Sequence, residues 1–196
     1  MVYISKFILA STSPRRRDLL HLIGADFQIE APAEEEPQTT CTDPEEYVSL
    51  LSYNKAMSIV KRGAELPVVA ADTIVTIDGN ILGKPLGEDD ASRTLQMLSG
   101  RWHRVYTGIT VHNLNEVKTE VEKTDVKFRD LSKTEISAYI ATGEPIDKAG
   151  SYGIQGKGAL FVEQINGDYY NVVGMPLVRL LRMMRELRVI SSEGFF

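Results

Sequence analysis

Three consecutive arginines, Arg15, Arg16 and Arg17, follow the stretch Ser11-Thr12-Ser13-Pro14. Ser13 before Pro14 reads as a helix N-cap and first helical position. The arginines then fall in the first turn, where the macrodipole is positive and each cation loses about 0.3–1 kcal/mol. An anion would offset that cost. Free helix N–H groups, the hydroxyl of Ser11 and the guanidinium forks of Arg15 and Arg16 form a cradle for a phosphate or a carboxylate. Asp72 lies inside the apolar run Val68 to Val75, where an unpaired carboxylate would cost several kcal/mol. It must be paired, protonated or metal-bound, which makes it the first catalytic candidate. Lys55 projects between Leu51 and Ile59 on a helix, so its ammonium is carried close to the core-facing side, although most such lysines turn outward. Lys84, in Gly83-Lys84-Pro85, sits on a tightly bounded turn just after the chain returns from the Asp72 strand.

Two further segments bear on ligand binding. Glu34-Glu35-Glu36 is an acidic run of the kind that is ordinarily solvated, yet one of the three could be the second carboxylate holding a hard cation beside Asp72. Asp147 to Gly156 carries Gly150, Gly153 and Gly156, enough glycine to let backbone approach a ligand. Gln155 within it offers both a donor and an acceptor, suited to reading a base edge. Neither a Walker loop nor a dinucleotide fingerprint is present. His21, His103 and His112 lack metal-ligand spacing, and Cys41 has no histidine beside it in sequence.

The elements that must carry these residues follow from periodicity and capping. Phe7 to Ala10 reads as a buried strand, and Pro14 starts a helix that Gly24 terminates. Asp43 caps a second helix as part of a capping box with Glu46, running to about Arg62. Pro67 to Ile77 is a central strand, turned by Asp78-Gly79 into a short strand at Ile81 to Gly83. Ala91, Leu95 and Leu98 mark a third helix. Val105 to Val111 pairs antiparallel with Val117 to Val121, and Ser132 with Glu135 forms a capping box before a helix that ends at Gly143. Ala159 to Ile165 and Tyr169 to Val173 are expected as a hairpin across Asn166-Gly167, with a last helix from Pro176. The order implies an α/β fold with a mixed sheet.

The chain has 196 residues, 43% hydrophobic and 25% charged, with a net charge of −5. That excludes extensive disorder and argues against a general nucleic-acid or anionic-membrane binder. No secretory leader and no transmembrane run is read, so a cytoplasmic protein without membrane or nucleic-acid partners is expected. Neither repeats nor linkers divide the chain, so one domain over 1–196 is expected.

Taken together, Ala10-Ser11-Thr12-Ser13-Pro14-Arg15-Arg16, Ala71-Asp72-Thr73 with Gly83-Lys84-Pro85, Leu98-Ser99-Gly100, His103, Thr107-Gly108 and Asp147-Lys148-Ala149-Gly150 resemble the Maf family in order and spacing from about Phe7 to Leu187. The resemblance implies a mixed twisted sheet flanked by helices, inosine-triphosphatase-like, with two lobes around a cleft. It also implies a nucleoside triphosphate pyrophosphatase that uses a divalent metal, Mg2+ or Mn2+, and forms a homodimer. The run Lys148 to Gly156 resembles the branch acting on dTTP and UTP, with Arg15, Thr73 and Gln155 at positions of substrate choice. On the same resemblance Asp72 matches the proton acceptor and Glu35 or Glu36 the functional glutamate; Asp72 either takes the proton directly or orders the metal that acidifies the water, and Asp72 with Glu36 is the expected metal pair. Ser11, Arg15, Arg16, Lys55, Thr73, Lys84 and Gln155 are then the substrate-binding set. The alternative is a nucleotide-binding regulator of cell division without turnover, and a sugar-nucleotide enzyme is a weaker rival.

Overall fold

The computed structural model describes residues 6–33 and 41–190. Among them, strand β1 (Phe7–Ala10), helix α1 (Pro14–Leu22) and strand β2 (Phe27–Glu30) form a parallel crossover unit, with Phe7 opposite Phe27 and Ala10 opposite Glu30. Helix α2 (Pro44–Val60) leads to β3 (Val68–Ile77), which pairs parallel to β1 through Ile8↔Val68 and Ala10↔Ala70. β3 then turns at Asp78-Gly79 into antiparallel β4 (Asn80–Leu82). Helix α3 (Glu88–Leu98), β5 (Trp102–Asn113), β6 (Glu116–Phe128) and α4 (Lys133–Ile140) follow. After three 3-10 turns come β7 (Val162–Asn166), α5 (Tyr169–Val173) and α6 (Leu177–Glu186). The seven strands form one mixed sheet in the order β2-β1-β3-β5-β6-β7, with β4 attached to β3. The expected mixed α/β class is therefore present. β2 is an edge strand with two exposed central residues and has no apolar run to announce it.

The chain divides into two compact units. Unit 1 comprises residues 1–72, 107–122 and 174–196. Its core includes Ile8, Ala10, Ala56, Ile59, Val68 and Ala70, all buried, together with the apolar face of α6 at Leu177, Leu180, Met183 and Met184. Unit 2 comprises 73–106 and 123–173. It is centred on Leu95, Leu98, Phe128, Ile136, Tyr139, Tyr152 and Phe161. Phe128 meets His103, Tyr152 and Phe161 in edge-to-face contacts with centroids 4.7–5.8 Å apart, a geometry aromatic quadrupoles favour.

Most of the expected ends are where capping chemistry puts them. The Asp43 carboxylate accepts from Glu45 N (2.7 Å) and Glu46 N (3.0 Å). The expected reciprocal half of that capping box is replaced: the Glu46 carboxylate accepts from the Cys41 thiol at 3.4 Å. Ser132 and Glu135 do form the full box.

The expected hairpin at 159–173 is overturned. Lys157–Phe161 is a 3-10 turn, Val162–Asn166 pairs with β6 (Asp125↔Asn166), and Tyr169–Val173 is helical. Asp168 Oδ1 accepts from Tyr170 N at 2.7 Å, and the buried Asn171 amide donates to Val105 O (3.1 Å) and Thr124 Oγ1 (2.9 Å). These tertiary and capping bonds outweigh the strand propensity of Tyr-Tyr-Asn-Val-Val.

Candidate active site

The two central residues of β3 break an otherwise sealed strand. Of its ten residues eight are buried, and only Asp72 and Thr73 are partly open. Side chains alternate along a strand, so Asp72 shares a face with Val68 and Ala70, which pack on Ala56 and Ile59 of α2. Lys55 precedes Ala56 on that helix, and its Nζ lies 2.6 Å from Asp72 Oδ2. The side chains of Lys55 and Asp72 retain 30% and 19% of their exposure. The pair therefore sits where the apolar seam of α2 and β3 opens to solvent. The interior acid is thus paired, one of the three outcomes its sequence context allows.

The placement of Lys55 depends on how closely α2 approaches β5. Val48, Ser52, Ala56 and Ile59 are fully buried at helical spacing. Opposite them is Gly108, where a Cβ would collide with the Val48 carbonyl. Ser52 Oγ and Thr110 Oγ1 then share a hydrogen bond of 3.0 Å across the same contact. Gly108 and Ser52 were not singled out as functional from sequence. The signal for Gly108 is a glycine set between β-branched Thr107 and Ile109 inside a strand, which marks a close approach.

Arg16 supplies the second charge at this locus. Its Nε donates to Gly174 O (2.8 Å) and its Nη1 to Ser11 Oγ (3.4 Å). Burial pushes the guanidinium below its ordinary pKa, the Asp72 carboxylate opposes that shift, and the Arg15 charge adds to it. The strain read from the arginine run is therefore offset in part by the chain itself, through a carbonyl 158 residues away that no sequence pattern announces. Ser13 occupies the N-cap without a side-chain cap bond, while Ser11 Oγ accepts from Ser13 N at 3.1 Å. Ser11, Arg16, Lys55 and Asp72 thus belong to one unit, with Arg15 half-buried in the first turn of α1.

Unit 2 carries Thr73, Lys84 and Gln155. Thr73 follows Asp72 directly and is half-buried. Lys84 is exposed on the loop after β4, a loop held by the Gly150 N to Gly83 O bond of 3.1 Å. Gln155 is exposed among buried neighbours 150–154. The expected approach at its glycines is made by the protein's own side chains: Lys148 lies against Gly153 and Glu144 against Gly156. His21 is exposed and lies against Phe27 at 4.8 Å, whereas His103 is buried with its Nε2 2.8 Å from the Tyr152 hydroxyl.

Glu34, Glu35 and Glu36 lie outside the described residues. Among the described residues no group of three or more His, Cys, Asp or Glu side chains gathers as a metal site. Asp72 alone suits a hard cation that brings most of its ligands as phosphate oxygens. A separate open cavity of about 570 Å3 on unit 1 is lined by Glu45, Glu46 and Glu120, charges of the wrong sign for a triphosphate. No helix among the described residues is long and apolar enough to cross a membrane.

A family model described as Maf-like protein matches residues 6–187. A dTTP/UTP pyrophosphatase of Bacillus cytotoxicus is 48% identical over 191 residues, covering 97% of this chain and all of that protein. One of Bacillus thuringiensis subsp. konkukian is 46% identical over 184 residues, covering 94% of this chain and 96% of its own. Among solved structures, the Staphylococcus aureus Ham1 protein superposes with a TM-score of 0.51 at 16% identity, covering 93% of this chain and 98% of that one. That likeness concerns the fold, which is the one the sequence resemblance implied.

Proposed function

The chain belongs to the Maf-like protein family, and from that premise we propose that it is a pyrophosphatase hydrolysing dTTP and UTP to the nucleoside monophosphate and pyrophosphate. The observation that carries the reading is the Asp72 carboxylate, held at 2.6 Å by Lys55 in the one open step of β3 and within electrostatic reach of the Arg16 guanidinium. A carboxylate so fixed, next to cations, suits attack by water on a phosphoryl group, a reaction governed by positioning and charge neutralisation.

In this reading a water attacks the α-phosphorus, the α–β bridging bond breaks, and pyrophosphate leaves. Asp72 takes the proton from the attacking water. Lys55 orients Asp72 through one of its three N–H donors and turns the others toward the phosphates. Ser11, Arg15 and Arg16, with the N-terminus of α1, bind phosphate oxygens, the guanidinium forks matching their geometry. Lys84 adds a further cation, while Thr73 and Gln155 with Arg15 select the nucleotide. A divalent ion, Mg2+ or Mn2+, would be held by Asp72 and Glu36 and would neutralise triphosphate charge. We assign the protein to the cytoplasm and expect a homodimer.

Incubating the purified protein with dTTP, UTP, CTP and GTP in Mg2+ and measuring pyrophosphate tests the reading. Release from dTTP and UTP supports it. Binding without release would replace it with the regulator.

A further inference from the structure

Glu144 of unit 2 has no part in the chemistry above, yet its carboxylate accepts three hydrogen bonds. It opens the 3-10 turn Glu144–Asp147 after α4. Its Oε1 accepts from the Tyr139 hydroxyl (2.8 Å) and Gly158 N (3.2 Å), and its Oε2 from Lys157 N (2.9 Å). The Tyr139 hydroxyl in turn accepts from Gly153 N at 3.0 Å. Two side chains therefore tie down both ends of the segment 153–158. Gly156 between them is drawn so close that an added Cβ would lie 2.5 Å from both carboxylate oxygens. Only glycine permits that approach. Burial works against the Glu144 charge, yet the bonds from Lys157 N, Tyr139 and Gly158 N outweigh it and hold the carboxyl below its usual range. Bonds of this charge-assisted type are about twice as strong as neutral ones.

The segment so anchored carries Gln155, exposed, directly after buried Ile154. An exposed amide that must discriminate bases needs its backbone fixed before the ligand arrives, because ordering it on binding weakens affinity. We propose that Glu144, acting with Tyr139, is a positioning residue that pre-sets Gln155 for nucleotide recognition. The glycine cluster that reads from sequence as a ligand cradle is a cradle for this carboxylate. The inference rests on the assignment of Gln155 to substrate binding.

The test compares wild type, Glu144→Gln, Tyr139→Phe and Gln155→Ala. Steady-state kinetics with dTTP is measured alongside hydrogen–deuterium exchange of the amides of 153–158. Glu144→Gln keeps one acceptor but turns an NH2 toward a backbone N–H. It is expected to raise KM about tenfold with kcat within about twofold, and to speed exchange at Lys157 and Gly158 about tenfold, the scale of one lost charge-assisted bond. Tyr139→Phe, a milder change, should move both readouts in the same direction and expose Gly153. The double variant Glu144→Gln/Gln155→Ala should bind dTTP no worse than Gln155→Ala alone, because both act through one contact. Unchanged exchange, faster exchange with unchanged KM, an additive double variant or a fall in kcat matching the rise in KM would each overturn the proposal. Should wild type release no pyrophosphate, the functional reading fails by itself, and calorimetric dTTP affinity takes the place of KM with the same criteria.

Discussion

His103 lets the cost of burying a titratable ring be measured directly. It is 4% exposed, packed edge-on against Phe128 and Tyr152. Burial lowers its pKa from 6.5 to about 4, against the opposing influence of the Arg101 backbone and the Asp125 charge. Between those values the unfolded chain binds a proton that the folded protein refuses, so stability falls as pH drops. It is fully present above pH 6.5, is lost down to about pH 4, and changes no further below that. At 1.36 kcal/mol per pH unit the total is about 3 kcal/mol, of which about 2.5 kcal/mol is gone by pH 4.5. That is a sizeable part of the 5–15 kcal/mol typical of a folded domain. Urea unfolding at pH 7.5 and 4.5 on wild type and His103→Gln isolates the effect, since every other group titrates in both proteins. Wild type should lose about 2.5 kcal/mol more than the variant over that interval. Equal acid sensitivity in the two proteins, or an imidazole NMR titration centred near 6.5, would refute the reasoning.

The remaining predictions concern the site and the helix that builds it. Asp72→Asn should lower pyrophosphate release by roughly 10²–10⁴-fold while leaving the circular dichroism spectrum intact; a variant within tenfold of wild type removes Asp72 from the chemistry. Gly108→Ala places a methyl against the Val48 carbonyl, so it should cost about 1–3 kcal/mol by denaturant unfolding and reduce kcat by displacing Lys55 from Asp72. Asp43→Ala removes the acceptor for Glu45 N and Glu46 N and should cost about 1 kcal/mol in the same assay. Chelation with EDTA should abolish pyrophosphate release from dTTP, with recovery on adding Mg2+ or Mn2+; undiminished activity would remove the metal from the mechanism.

Local chemistry was readable because its causes are local. Asp43, Ser132 and Pro14 mark helix starts through bonds and φ values that involve only near neighbours. A carboxylate inside Val68–Val75 has to find a partner whatever the fold, whereas helical projection carries Lys55 close to the core-facing side of α2 and leaves open whether its ammonium turns in or out. What sequence could not supply was the identity of partners brought together by folding. Arg16 meets the Gly174 carbonyl, Gly108 yields to Val48, and Tyr169–Val173 winds into a helix because Asn171 finds Val105 and Thr124. The glycines at 153 and 156 signal close approach correctly, but only packing decides that the approaching groups are Lys148 and Glu144. Residue type and spacing thus determine which groups need a neighbour, while distance along the chain carries no information about which neighbour arrives, since that is set by the free energy of the whole packed arrangement.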